Sequence, residues 1–198
     1  MSAACEFLAG PLGTDASVRQ ITGRADVGVG TFYNHFANKS ELFEAAIALT
    51  LDRFGTFFDD ATAGIDDPAL LFANGVRMTL HLRRSHRQMT DIVMRLGLFS
   101  MTKDRSLVPR ALNGLHVAAD AGRLRVTDFD TAIACTAGSM LGCLHLLADD
   151  PTADVGSVAT ELAANLLQMF GLPEAEARSL ASVPLATPSL PTQTMPPG

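Results

Sequence analysis

The chain has 198 residues, 47% hydrophobic and 18% charged, enough for one or two small domains around a sizeable core. A formal net charge of −6 argues against adhesion to nucleic acid by the whole surface, though a small, locally favourable face remains compatible with it. Three cysteines, Cys5, Cys135 and Cys143, form an odd set without a Cys-x-x-Cys pair, which fits buried thiols in a reducing compartment better than a disulfide framework.

Strand signals are nearly absent: there is no sustained alternation, no Asn-Gly or Asp-Gly hairpin turn, one Tyr and no Trp. Helix punctuation is abundant, and the expected fold is all-α. A short helix is expected near 2–9. Ser17 and Gln20 form a capping box that opens a helix near 17–24, and a third helix follows near 28–35. Asn38 and Glu41 form a second box before a helix near 39–61, where Leu42, Phe43, Ala46, Leu49, Phe54, Phe57 and Phe58 recur at helical spacing for one buried face. Asp67-Pro68 opens a helix near 68–86, and further helices are expected near 88–98, 105–121 and 128–148. Asp150-Pro151 is read as the start of a helix near 153–170 that Gly171 stops, with Pro173 opening a last one near 173–182.

Residues 183–198 are rich in Pro, Ser and Thr and carry no charge, so they cannot bury enough apolar area to offset their ordering entropy and are expected to be disordered. The longest apolar stretch, 132–148, contains Thr136, Ser139 and His145 and is read as short of a membrane span. The N-terminus lacks the basic segment of a secretory signal. The expectation is a cytoplasmic protein without a membrane partner.

The informative segment is 17–43, a capped short helix, a turn at Asp26-Val27-Gly28, and a second short helix. Val18, Ile21 and Ala25 are expected on the inner face of the first; Val29, Phe32 and Phe36 on that of the second. Gly30, Thr31, Tyr33, Asn34 and His35 then face outward, a polar surface suited to the DNA major groove. The run Val29-Gly-Thr-Phe-Tyr-Asn-His-Phe-Ala-Asn-Lys-Ser-Glu-Leu-Phe43 resembles the end of the TetR-family DNA-binding domain. Residues 17–28 are similar to that family's second helix and turn, and the match covers about 40 of 198 residues.

The resemblance implies a helix-turn-helix DNA-binding domain over 1–45, a helical effector-binding and dimerisation domain over 46–182, and the tail 183–198. It implies a homodimer that binds a palindromic operator in double-stranded DNA, most simply as a repressor released by an unidentified small-molecule effector, with no other cofactor and no metal. By position, Ser17 matches a phosphate-contacting hydroxyl, although it also reads simply as a cap. Val29, Gly30 and Asn34 match positions near base edges, Gly30 allowing close approach and Asn34 able to pair with adenine. Thr31, Tyr33 and His35 match phosphate-reaching positions, His35 reading equally as a packing residue, and Lys39 matches the family's phosphate anchor.

One departure matters. Within residues 1–45, Arg19, Arg24 and Lys39 face Glu6, Asp15, Asp26, Glu41 and Glu44, an acidic balance where phosphate neutralisation normally supplies affinity. Either a basic segment lies upstream of Met1 or DNA binding is weak. The rival reading is a helical small-molecule-binding dimer that has lost or weakened operator binding.

In the remainder, Met78, His81, Met89, Met94, Leu98, Phe99 and Met101 are candidates for an apolar ligand pocket, because Met adapts to irregular shapes; plain core is the alternative. Gly138, Gly142, His145, Leu162 and Leu166, on the two long helices that the resemblance places at the dimer contact, are the candidate interface. The cluster Arg83, Arg84, His86 and Arg87 reads as a solvated helix end. No Gly-x-Ser-x-Gly or His-Glu-x-x-His is present, and Gly28-Val-Gly30 follows no strand, so the chain is read as a non-enzyme.

Overall fold

Polar side chains at the helix starts divide the chain. In the computed structural model, which describes residues 1–96 and 107–185, the Ser17 hydroxyl accepts from the Gln20 amide at 3.2 Å while Gln20 Oε1 accepts from the Ser17 amide at 2.9 Å. This box opens α2 (Val18–Ala25), after α1 (Ser2–Ala9) and a 3-10 turn at Gly13–Asp15. Asp26 ends α2 in the left-handed conformation at φ 54°, which a short polar side chain tolerates better than most. The chain then enters α3 (Val29–His35).

Asn38 Oδ1 accepts from the Glu41 amide at 3.0 Å and opens α4 (Lys39–Thr62). The Glu41 carboxylate reaches the amide of Ala37, at 2.7 Å, one residue before the cap. Asp67 caps α5 (Pro68–Ser85) with proline at the first helical position. Then come α6 (Arg87–Leu96), α7 (Leu107–Asp120), α8 (Phe129–Asp149), α9 (Val155–Met169) and α10 (Glu174–Ala181). The fold is all-α, without a strand among the described residues.

Two cores form. Ala3, Ala4 and Leu8 of α1, Ile21 of α2, Phe32 of α3, and Leu42, Phe43 and Ala46 of α4 make the smaller one. Each fully buried Leu or Phe contributes about 1.5–3 kcal/mol, enough to fix three short helices that would not persist alone. Ile92 of α6 belongs to this core as well, far from it in sequence. The larger core is built on α5, which packs against α7, α8, α9 and α10, with Leu80, Leu115, Leu147 and Leu167 at its centre. Arg123, after α7, donates two hydrogen bonds to Asp67 (3.0 and 2.8 Å) and pairs with Glu176 at 2.8 Å, tying the starts of α5 and α10 together. These bonds hold the Asp67 carboxyl below its usual range.

Several expectations need correction. Asp150-Pro151 does not open a helix: Asp150 ends α8 and its carboxylate accepts from the amide and hydroxyl of Thr152 at 2.9 and 2.6 Å. The α9 cap is Asp154, which accepts from Gly156 and Ser157. The Arg cluster is solvated only in part: Arg87 is 76% exposed, whereas Arg83 and Arg84 are tied down. Arg83 bonds Asp91 at 2.6 Å and Thr90 at 3.2 Å, and Arg84 donates to the carbonyls of Pro151 and Ala153.

The proposed division at 45/46 falls inside continuous α4. The tail begins later than expected, because Arg77 donates to the carbonyl of Val183 at 2.6 Å; residues 186–198 lie outside the described residues. The 21-residue α8 does have the length and composition to cross a bilayer, contrary to the reading of 132–148. Its Ala132, Thr136, Leu144 and Leu147 are buried within the chain, so one face of it is committed to packing.

Candidate nucleic-acid interface and ligand cavity

The turn between α2 and α3 is set by Asp26 and by the Val27 amide, which donates to the Thr22 carbonyl at 3.0 Å. It presents α3 with Phe32 inward and almost fully buried, its ring meeting Tyr33 edge-on at 5.0 Å and Phe36 at 5.8 Å. The rest of α3 faces outward. Tyr33 is 58% exposed and Val29 40%, and Gly30, Thr31, Asn34 and His35 are exposed beside them. Positions 29, 30, 33 and 34 form one stripe at helical spacing, flanked by 31 and 35. Val29 was expected on both the inner face and the DNA face; it lies on the outer one. Ala25, expected inside, is exposed, and Thr22 takes the buried position one turn earlier.

The polar groups around this face are partly committed. The Ser17 hydroxyl donates to Gln20 Oε1 at 2.8 Å, so its proton serves the cap. Lys39 is exposed, but its ammonium donates to the Thr14 carbonyl at 3.0 Å, tying α4 to the turn before α2. Arg24 pairs with Glu6 at 2.6 Å, and Arg19 is exposed on the first turn of α2. The last was not among the candidates, although an exposed cation at the start of that helix is legible in the sequence.

A cavity of about 510 Å³ opens in the larger domain, within the range typical of small-molecule sites. Its walls come from α4 (Phe54, Phe58, Thr62), α5 (Leu71, Phe72, Gly75, Thr79, Leu82), α6 (Thr90, Val93), α7 (Gly114, Val117) and α8 (Ile133, Thr136, Met140, Leu144). Of the expected lining residues, Met78, His81, Met89 and Met94 are not among the described walls, while Met140, which was not expected, is. Met78 is buried in the core on a different face of α5, Met89 and Met94 are half-buried on α6, and His81 is exposed. Leu98, Phe99 and Met101 lie outside the described residues. The usable signal was Gly75. A Cβ there would stand 2.9 Å from Phe58 Cε2, so the mid-helix glycine lets the α4 aromatic ring lie against α5.

The cavity and the smaller core share two elements. The start of α4 supplies Leu42, Phe43 and Ala46 to the core and its end supplies Phe54, Phe58 and Thr62 to the cavity. On α6, Thr90 and Val93 border the cavity while Ile92 sits in the small core and Arg95 donates to the Ala9 carbonyl at 3.0 Å.

Of the candidate interface residues, Leu162 and Leu166 are 9% and 3% exposed and belong to the chain's own core, because α9 turns these positions toward α5. Gly138 is half-buried, and Gly142 and His145 are exposed on α8. The outward apolar side chains are instead Leu146 of α8 and Met169 of α9, each 49% exposed. Only 22% of the apolar window of α8 is buried inside the chain.

Residues 10–46 match the family model described as bacterial regulatory proteins, tetR family, and residues 67–183 the one described as tetracyclin repressor-like, C-terminal domain. Among curated proteins none matches. Among solved structures, RolR in complex with the ligand resorcinol is 30% identical with a TM-score of 0.73, over 93% of this chain and 91% of that one. RolR without ligand is 28% identical with a TM-score of 0.71, over 94% and 99%. A putative fatty acid metabolism regulator of Clostridium perfringens shares the fold at 22% identity and a TM-score of 0.66, over 87% and 98%.

Proposed function

The chain belongs to the tetR family of bacterial regulatory proteins, and from that premise we propose that it is a ligand-responsive transcriptional repressor which binds a palindromic operator as a homodimer. The observation that carries this reading is the sharing of α4 and α6 between the small core under α3 and the walls of the cavity. An occupant of the cavity that displaces Phe58 or Val93 moves helices on which the recognition helix rests. Effector and operator binding are then coupled by differential affinity for two arrangements of α4 and α6.

In this reading Val29, Gly30 and Asn34 approach base edges, and Thr31, Tyr33 and His35 reach phosphates. Lys39 contacts phosphate by exchanging its bond to Thr14, and Ser17 by releasing Gln20. Two α3 helices reach successive major-groove faces when a second copy packs on the exposed stripes of α8 and α9. The effector is a small molecule, a reading supported by RolR, whose structure holds resorcinol as a ligand. The protein acts on DNA in the cytoplasm, as a regulator rather than a catalyst.

A specific observation favours a second reading, a ligand-binding dimer with weakened operator binding: Arg24 and Lys39 are already engaged within the chain. Selection of genomic fragments by the purified protein, followed by sequencing, distinguishes the two. Enrichment of one inverted repeat supports the repressor. Fragments recovered in the proportions of the input support the weakened binder.

A further inference from the structure

Val27, Val29 and Tyr33 stand exposed together within the stretch 27–33. Gly28, in extended conformation, caps α3, so Val29 holds the first helical position on the outer stripe. The N-terminal residues of a recognition helix are those that meet base edges in the major groove. Gly30 follows, and a Cβ built on it meets nothing within 4 Å. With glycine on either side, at 28 and 30, the two γ-methyl groups of Val29 are the bulk that the start of the helix presents.

The stretch 27–35 holds neither Lys, Arg, Asp nor Glu. Arginine and lysine are the usual partners of guanine, and an acidic side chain accepts from cytosine. The outer stripe of α3 offers instead the branched apolar side chain of Val29 and the amide of Asn34, which can pair with adenine. In the major groove the apolar group on a base edge is the C5-methyl of thymine. Contact between that methyl and Val29 removes apolar surface from water on both partners. A polar base edge against the same valine loses hydration without a hydrogen bond in return.

We propose that Val29 is a specificity-determining residue that reads the C5-methyl of a thymine in each operator half-site. The proposal rests on the reading of α3 as the recognition helix. By the two-fold symmetry of the proposed dimer, two valines meet two symmetry-related thymines.

Uracil keeps the pairing and every hydrogen-bonding group of thymine and lacks the methyl alone. The inverted repeat selected from genomic fragments is prepared once with thymidine and once with deoxyuridine. Fluorescence anisotropy of the full-length protein gives its affinity for each duplex. Loss of one buried methyl weakens binding about fourfold, so two half-sites together lower it roughly tenfold or more. Val29→Ala, at an exposed position where the fold has little to lose, weakens binding to the thymidine duplex. It also narrows the thymidine-to-deoxyuridine ratio to about twofold. The ratio is the readout, because any effect of uracil on the shape of the duplex acts on parent and variant alike. Equal affinity of the parent for the two duplexes, or a Val29→Ala ratio equal to that of the parent, overturns the proposal and leaves the operator reading standing. Failure to enrich any repeat overturns both.

Discussion

Gly30 lies in the first turn of α3, and a Cβ built on it meets nothing within 4 Å. Alanine in a helix is more stable than glycine by about 0.5–1 kcal/mol, so nothing among the described residues accounts for glycine there. The proposed close approach to DNA would. Gly30→Ala raises the urea midpoint slightly and lowers operator affinity about tenfold or more; a stabilised variant with full affinity removes Gly30 from the interface. Tyr33 is 58% exposed and packs within the chain mainly by its edge-on contact with Phe32, so little buried area is lost with its ring. Tyr33→Ala weakens operator binding by about tenfold with an unchanged thermal midpoint, and a drop in stability instead assigns the ring to packing.

The outward set on α3 was legible residue by residue, because helical spacing around Phe32 leaves it few alternatives. Lys39 and Ser17 were legible only as exposed polar groups. Their bonds to Thr14 and Gln20 depend on how two turns fold together, and spacing does not encode that.

At the scale of elements, local chemistry decided the starts of helices well. Ser17, Asn38 and Asp67 cap as their spacing implies. Asp150 failed because two acidic residues four apart compete for the same role, and Asp154 holds two amides where Asp150 holds Thr152. Which face of a helix is covered was less legible. Leu162 and Leu166 read as apolar interface residues, yet α9 turns them toward α5, and the described cavity walls hold aromatics, threonines and Met140 rather than Met78, Met89 and Met94.

Two predictions belong here. Asp67 caps α5 and binds Arg123, so its folded pKa lies below the unfolded value of about 3.8. Its contribution is therefore complete above that value and disappears as pH falls through the lower folded pKa. Asp67→Ala costs about 1–2 kcal/mol at pH 7 by urea unfolding, and the gap to the parent narrows at low pH; a gap independent of pH refutes the linkage. Gly142, exposed on α8 with open space around a Cβ, permits leucine within one chain. Gly142→Leu leaves the helical signal intact and halves the mass seen by light scattering, whereas a mass unchanged from the parent excludes this stripe from the contact between copies.

At the scale of the whole molecule, a 24-residue α4 and the short α6 span from the recognition-helix core to the cavity. The sequence reading located the exposed face of α3 but not this connection, because Ile92 and Arg95 join the N-terminal helices only through long-range packing. The acidic balance of residues 1–45 makes the salt dependence of operator binding informative: each phosphate neutralised adds about 0.9 to the slope of log affinity against log salt.

The central claim is that the α3 stripe, with Lys39 beside it, reads DNA. It is tested most directly by fluorescence anisotropy of the purified protein on its own upstream intergenic DNA, across a salt series and alongside Lys39→Ala. The account predicts saturable, sequence-selective binding that tightens as salt falls, with the variant weaker on every sequence and shallower in slope by about one. Absence of selective binding at low salt, or a Lys39→Ala slope equal to that of the parent, contradicts it.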